Sequence, residues 1–228
     1  IKKEFGRIPK KMKLLNSPGP NPRVVRMFLL EKGIELPFEE IDILNASNRE
    51  SAYLELNPAG QLPALILDDG VCISETVAIC EFLEDLYPEK PLIGTTPLEK
   101  ATHRMWQRRI ELNITENLYN SFRYSVGLEL FRERIHCLPE AAPGLAEIVS
   151  EKLVWLNDLM PRKIFVCGND LSLADIILFC ALDFGEGVGQ NMDNSLLNIN
   201  AWFSRMYTRD SAYESLHPDG IATGRQGV

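Results

Sequence analysis

The chain has no surplus of positive charge. Its 228 residues hold 24 Lys and Arg against 32 Asp and Glu, for a formal net charge of -8. That balance argues against a nucleic-acid binder, which would present a basic face. It also lacks paired cysteines. Cys72, Cys80, Cys137, Cys167 and Cys180 are far apart and odd in number, and His103, His136 and His217 show no ligand spacing. No zinc or other metal site and no disulfide framework is expected, and the pattern suits a reducing, cytoplasmic compartment. No apolar run approaches the ~18 residues of a membrane span, so no membrane association is expected. The opening IKKEFGRIPKK is basic without an apolar stretch behind it, unlike a secretory signal. Aromatic residues make up only 8%, which does not suggest an unusually aromatic pocket.

The charge that is present is unevenly spread. Residues 1–13 carry +5, residues 14–88 carry -9 and residues 89–228 carry -4. Met12 opens a strand-like run and suits a natural start, which would make residues 1–11 an upstream extension or a cloning remnant.

Element types alternate over the first third. MKLLN (12–16) reads as a strand and SPGPNP as a turn. RVVRMFLLEK then reads as a helix, with Pro22 in its first turn and Gly33 at its stop. FEEIDI (38–43) alternates like a half-buried strand, and residues 49–56 suit a short helix. PALIL (63–67), the turn DDG and VCI form a hairpin, and Ile79, Phe82, Leu83 and Leu86 define a helical face. The order implies a small α/β layer with one parallel strand pair and an added antiparallel hairpin.

The rest reads as helix after helix. Residues 89–96 have the Pro, Gly and Thr content of a linker. Thr96-Pro97-Leu98-Glu99 is a capping box opening a helix to about residue 122, and Ser172-Leu173-Ala174-Asp175 is another, with Leu171 and Ile176 placed as a staple. Leu145, Val149, Leu153, Leu156 and Met160 mark a further helical face, and residues 195–208 one more helix. Two domains are therefore expected, an α/β domain over 12–88 and an all-helical domain over 97–217.

The chemistry concentrates in LNPAGQLPALILDDGVCISET (56–76). A proline at the start of a strand gives no N–H to the ladder. With a cis Leu62–Pro63 bond, the Leu62 amide and carbonyl would face out of the sheet and could pair with a bound peptide. A trans proline on an edge strand is the alternative, and cis X-Pro bonds are only ~5–6% of cases. Ser74-Glu75-Thr76 opens the next helix. Its amides and the Thr76 hydroxyl suit an anion, and Glu75 suits an ammonium, together an α-amino acid head group. The alternative is a plain cap with Ser74 as N-cap.

With SPGPNPRVVRMFLLEKG near the start, NPAGQLPAL, SET before a helix and GNDLSLADIILF in the helical half, the chain resembles the cytosolic glutathione transferases over residues 12 to about 210. The resemblance implies a thioredoxin-like N-terminal α/β domain followed by an all-α domain, and a homodimer. It implies that Leu62–Pro63 is cis and that Leu62 pairs with the cysteinyl backbone of glutathione. It implies that Glu75 and Thr76 hold the γ-glutamyl end, and that Ser172 and Asp175 cap a helix for folding.

The first loop departs from the family pattern. Family members activate the glutathione thiol with a Tyr, Ser or Cys near the end of the first strand. Here no Tyr is near, the first cysteine is Cys72, and the serine-type position is Pro20. The loop is similar to that of a fungal and bacterial subgroup lacking such a side chain, where a helix N-terminus and an ordered water are thought to act. The candidates for stabilising the thiolate are Asn21, through an amide hydrogen bond, and Ser17, if the loop bends; an ordinary turn role is the alternative for Ser17. Gln61 and Arg49 are candidates for the glycyl carboxylate, whereas Arg23 and Arg26 could bridge to the second domain. Tyr119, Asn120, Arg123 and Tyr124 are candidate walls for a second, electrophilic substrate, with a core role as the alternative for the aromatics. The expected function is conjugation of the glutathione thiolate to small electrophiles. Glutathione-dependent peroxide reduction or isomerisation, and non-catalytic glutathione binding, are the alternatives.

Overall fold

A computed structural model describes residues 11–223 and Gly227. The expectation for residues 1–11 therefore lies, except for Lys11, outside the described residues.

The first unit has the order β1 Met12–Asn16, α1 Pro20–Lys32, β2 Phe38–Glu40, α2 Ser51–Leu56, β3 Ala64–Leu67, β4 Cys72–Ser74, α3 Thr76–Leu86. The sheet order is β2-β1-β3-β4. β1 runs parallel to β2 and antiparallel to β3, and β3 and β4 form the hairpin, with Leu14 opposite Phe38 and Leu65. This is the expected mixed, thioredoxin-like layer. Leu14 and Leu15 are both buried because β1 is a central strand covered on both faces. Gly33 ends α1 in the left-handed region at φ 69°, its N–H and that of Ile34 taking the last carbonyls of the helix.

Two expectations are corrected here. The strand expected over 38–43 stops at Glu40, and all three of its residues are exposed. It is an edge strand, and just beyond it the Asp42 carboxylate accepts from the Asn45 amide and side chain, a turn that breaks the ladder. Only Ile41 and Ile43 keep the alternation, packing beside Leu15, Tyr53, Leu62 and Ala64. Ser74 is not an N-cap: it ends β4, and Glu75 holds the cap position of α3.

The second unit is helical: α4 Pro97–Ile110, α5 Glu116–Arg123, α6 Leu128–Phe131, α7 Ala142–Leu159, α8 Leu173–Gly187, α9 Leu197–Tyr207, α10 Asp210–Glu214 and α11 Pro218–Thr223. α4 and α5 are the one long helix expected, joined through a π-helical turn at Glu111–Thr115. Thr96 and Glu99 form the capping box of α4. The α8 helix is buried along nearly its whole length, as its continuous apolar sequence requires. Its Asp175 carboxylate accepts from the Ser172 amide and hydroxyl, the Val166 amide and Trp202 Nε1. No helix among the described residues is long and apolar enough to cross a membrane.

The two units share one core, because α1 packs on α8. Arg23 leaves α1 to pair with Asp183 at 2.5 Å and to donate to Ser215 Oγ and the Ala212 carbonyl. Arg26 donates to the Ser215 carbonyl and, back within its own unit, to Asn16 Oδ1 and the Ser17 carbonyl. Both bridge the units, the role open to them from the first helix. The 89–96 segment is tied down rather than loose. Glu84 accepts from the Leu92 and Ile93 amides, and Lys32 pairs with Glu84 while donating to the Glu89 carbonyl.

Candidate functional site

Two adjoining cavities lie where the helical unit faces the starts of α1 and α3. The smaller, of about 250 Å³, is lined by Asn21, Gln61, Leu62, Pro63, Glu75, Thr76, Glu116 and Arg123. The larger, of about 540 Å³, shares Asn21, Glu75, Thr76, Glu116 and Arg123 and continues along Gln107, Arg108, Glu111, Leu112, Thr115 and Tyr119.

The smaller cavity is built from chain segments that end or begin elements. Leu62–Pro63 is cis and leads into β3. Glu75 stands at the cap of α3 with φ 72° and ψ 121°, and its side chain makes no cap hydrogen bond. A non-glycine residue there costs about 1–3 kcal/mol and persists only where the surroundings impose it, commonly at functional sites. The first-turn amides of α3, at Thr76, Val77 and Ala78, have no partner inside the helix and form an anion-binding end. The start of α1 is different. Pro20 and Pro22 carry no N–H, so Asn21 supplies the free first-turn donor, and its backbone amide is unpaired among the described residues.

The larger cavity carries mixed charge. Glu116 lies 3.9 Å from Arg123, and Asn120 holds both by donating to Glu116 at 2.8 Å and accepting from Arg123 at 2.9 Å. Arg108 comes within 3.8 Å of Glu111. Burial pushes the Glu111 carboxyl up, and Glu75 and Glu116 nearby add to this, while Gln107 and Arg108 oppose it. Burial also pushes the Tyr119 phenol well up, so it is a neutral wall and not a base.

Of the residues expected from sequence, Asn21, Gln61, Leu62, Pro63, Glu75, Thr76, Tyr119 and Arg123 are brought together. Four lie outside both cavities. Ser17 is fully buried; its hydroxyl donates to the Pro18 carbonyl and its own carbonyl is held by Arg26, so the loop does not bend it inward. Arg49 lies under the turn before Gln61, against the α-carbon face of Gly60, with Nη1 reaching the Ala59 carbonyl. Asn120 acts on the wall from behind, through Glu116 and Arg123. Tyr124 sits at the end of α5, past the lining face. The stripe Gln107, Arg108, Glu111, Leu112, Thr115, Glu116 was missed, although stepping back from Arg123 and Tyr119 by three or four residues leads along it.

Comparison with known proteins agrees with this architecture. A model of the glutathione S-transferase N-terminal domain matches residues 18–86, and one of the C-terminal domain matches residues 133–210. Glutathione S-transferase 2 of Saccharomyces cerevisiae is 29% identical over 214 residues, which span 90% of each chain. Maleylacetoacetate isomerase of Pseudomonas aeruginosa is 30% identical over 171 residues, 74% of this chain and 78% of the isomerase. The crystal structure of Gtt2 from Saccharomyces cerevisiae is 28% identical, with a TM-score of 0.83 over 90% of this chain and 100% of that one. Both halves of the sequence match the family and the fold matches a solved member, and the chain belongs to the glutathione S-transferase family.

Proposed function

We propose that the protein is a glutathione transferase that attacks small electrophiles with the glutathione thiolate. The observation that carries this reading is the meeting of Asn21, Gln61, Leu62, Pro63, Glu75 and Thr76 on one small cavity that shares a wall with a larger one. In this reading the γ-glutamyl carboxylate takes the amide end of α3 and the Thr76 hydroxyl, and Glu75 takes the ammonium. The cysteinyl backbone pairs with Leu62, and Gln61 faces the glycyl end. The sulfur then lies by Asn21 at the start of α1, facing the larger cavity, where the electrophile sits.

The chemistry is nucleophilic. The sulfur lone pair forms the S–C bond, and the leaving group departs with the electrons of the broken bond. A free thiol has a pKa of ~8.5, and each unit of lowering takes about 1.4 kcal/mol of preference for the thiolate. The Asn21 backbone amide, its side-chain amide and the helix end supply about one to two units. The same thiolate, adding to and then leaving a substrate, would serve an isomerase, a second reading favoured by the Pseudomonas relative. We further propose a homodimer in a reducing, cytoplasmic compartment, supported by the family and by five free cysteines.

The test is the thiolate absorbance of protein-bound glutathione followed against pH, with conjugation assayed on a panel of small electrophiles. A bound thiol titrating about one to two units below the free one, with conjugation, is expected. Binding with an unshifted thiol and no turnover would leave a non-catalytic binding protein.

A further inference from the structure

The backbone before Pro63 is gripped from one side. Tyr53 lies in α2, and Asn57 is the extended residue that ends that helix. Both donate to one acceptor, the Gln61 carbonyl oxygen, Tyr53 Oη at 2.6 Å and Asn57 Nδ2 at 2.9 Å. The residues just before are held too. Asn48 Nδ2 donates to the Gly60 carbonyl at 2.7 Å, and Asn57 Oδ1 accepts from the Ala59 amide at 3.3 Å. A carbonyl oxygen has two lone pairs, and at Gln61 both are used on the α2 side.

The Gln61–Leu62 peptide is trans and planar, so the Leu62 N–H points opposite to the Gln61 carbonyl. With the carbonyl pinned toward α2, the N–H is aimed away from it, on the side where Leu62 lines the smaller cavity. That amide has no hydrogen-bond partner among the described residues, although Leu62 is only 7% exposed. A backbone amide without a protein partner, in a residue so little exposed, calls for an acceptor.

We infer that Tyr53 and Asn57 are positioning residues, which fix the Gln61 carbonyl and so aim the Leu62 amide at the cysteinyl carbonyl of bound glutathione. The inference rests on reading the smaller cavity as the glutathione site. Burial raises the Tyr53 phenol above its ordinary value, so the hydroxyl stays a donor at neutral and mildly basic pH.

Tyr53→Phe tests this, because it keeps the ring in place and leaves Gln61 the Asn57 bond. Binding of two probes to wild type and variant is measured by calorimetry: S-methylglutathione, and its analogue with the cysteinyl carbonyl replaced by a methylene. The variant should bind S-methylglutathione about three- to tenfold more weakly, the worth of one neutral hydrogen bond. It should bind the methylene analogue as wild type does, because no acceptor remains to be aimed at. Steady-state kinetics should show a raised KM for glutathione, with kcat and the KM of the electrophile unchanged. Equal weakening for both probes would mean general loosening of the fold, and no weakening for either would mean that the Leu62 amide needs no aiming; each overturns the inference. Wild type binding neither probe would instead overturn the assignment of the cavity, and the inference would fall with it.

Discussion

At the scale of single residues, Glu75 joins strain to placement. Its backbone occupies a region at φ 72° that favours glycine, and its exposed side chain makes no cap bond for α3. Nothing in the fold therefore needs this carboxylate, whereas the proposed ligand does. Glu75→Gly should be at least as stable as wild type to urea, by up to about 1 kcal/mol, since relief of strain outweighs the added freedom of the unfolded chain. The same variant should lose glutathione binding in calorimetry. A clear drop in the urea midpoint would show that the side chain supports the fold instead. The placement of such residues on the cavity was legible in the sequence because it is set locally: Glu75 and Thr76 begin a helix, Asn21 stands between two prolines, and Leu62 precedes Pro63. The placement of Ser17 outside both cavities was not legible, because its neighbour in space, Arg26, turns back from the following helix to hold it. Tyr53 gave no signal at all, since an aromatic residue in a short helix reads as core.

At the scale of elements, helix starts were the clearest part of the sequence. Thr96 with Glu99 and Ser172 with Asp175 each announce a helix within four residues, and both stand where expected. The π turn at Glu111–Thr115 was not legible, since an extra residue in a helical turn has no local signature and answers to packing around it. Strand β2 was overestimated because the Asp42 turn outweighed the alternation. Asp175 shows how much one cap can hold. Four donors converge on its buried carboxylate, from Ser172 twice, Val166 and Trp202. Asp175→Ala should cost about 3 kcal/mol or more in denaturant unfolding, because the donors lose their acceptor without reaching water. Asp175→Asn should cost less, as one oxygen remains. A loss below about 1 kcal/mol for the alanine variant would mean that the network relaxes onto other partners.

At the scale of the whole molecule, the distribution of charge gains a structural meaning. Residues 14–88 contain four basic side chains, and the fold engages all of them. Arg23 and Arg26 reach the helical unit, Lys32 holds Glu84 and the 89–90 carbonyls, and Arg49 lies under the Gly60 turn. Lys13 on β1 pairs with Glu39 at the surface, so the first unit leaves its cations occupied, and the anionic ligand proposed for it would be held by amides and dipoles. The buried Arg23–Asp183 pair ties α1 to α8 across the shared core. Asp183→Ala would strand a buried guanidinium and should cost about 3–5 kcal/mol, with Arg23→Met in the same chain recovering part of it. All three tryptophans lie in the helical unit, so fluorescence and far-UV dichroism should report one coincident transition in wild type and separated transitions in Asp183→Ala. Coincident curves in the variant would mean that the remaining contacts suffice. The wall common to the two cavities, formed by Asn21, Glu75, Thr76, Glu116 and Arg123, carries one more consequence. On the proposed function a conjugate would fill both cavities as a single molecule, so each half would raise the local concentration of the other and the two would leave together or not at all. The slow event of such a cycle would move from bond making to departure, and accumulating product would become its own inhibitor.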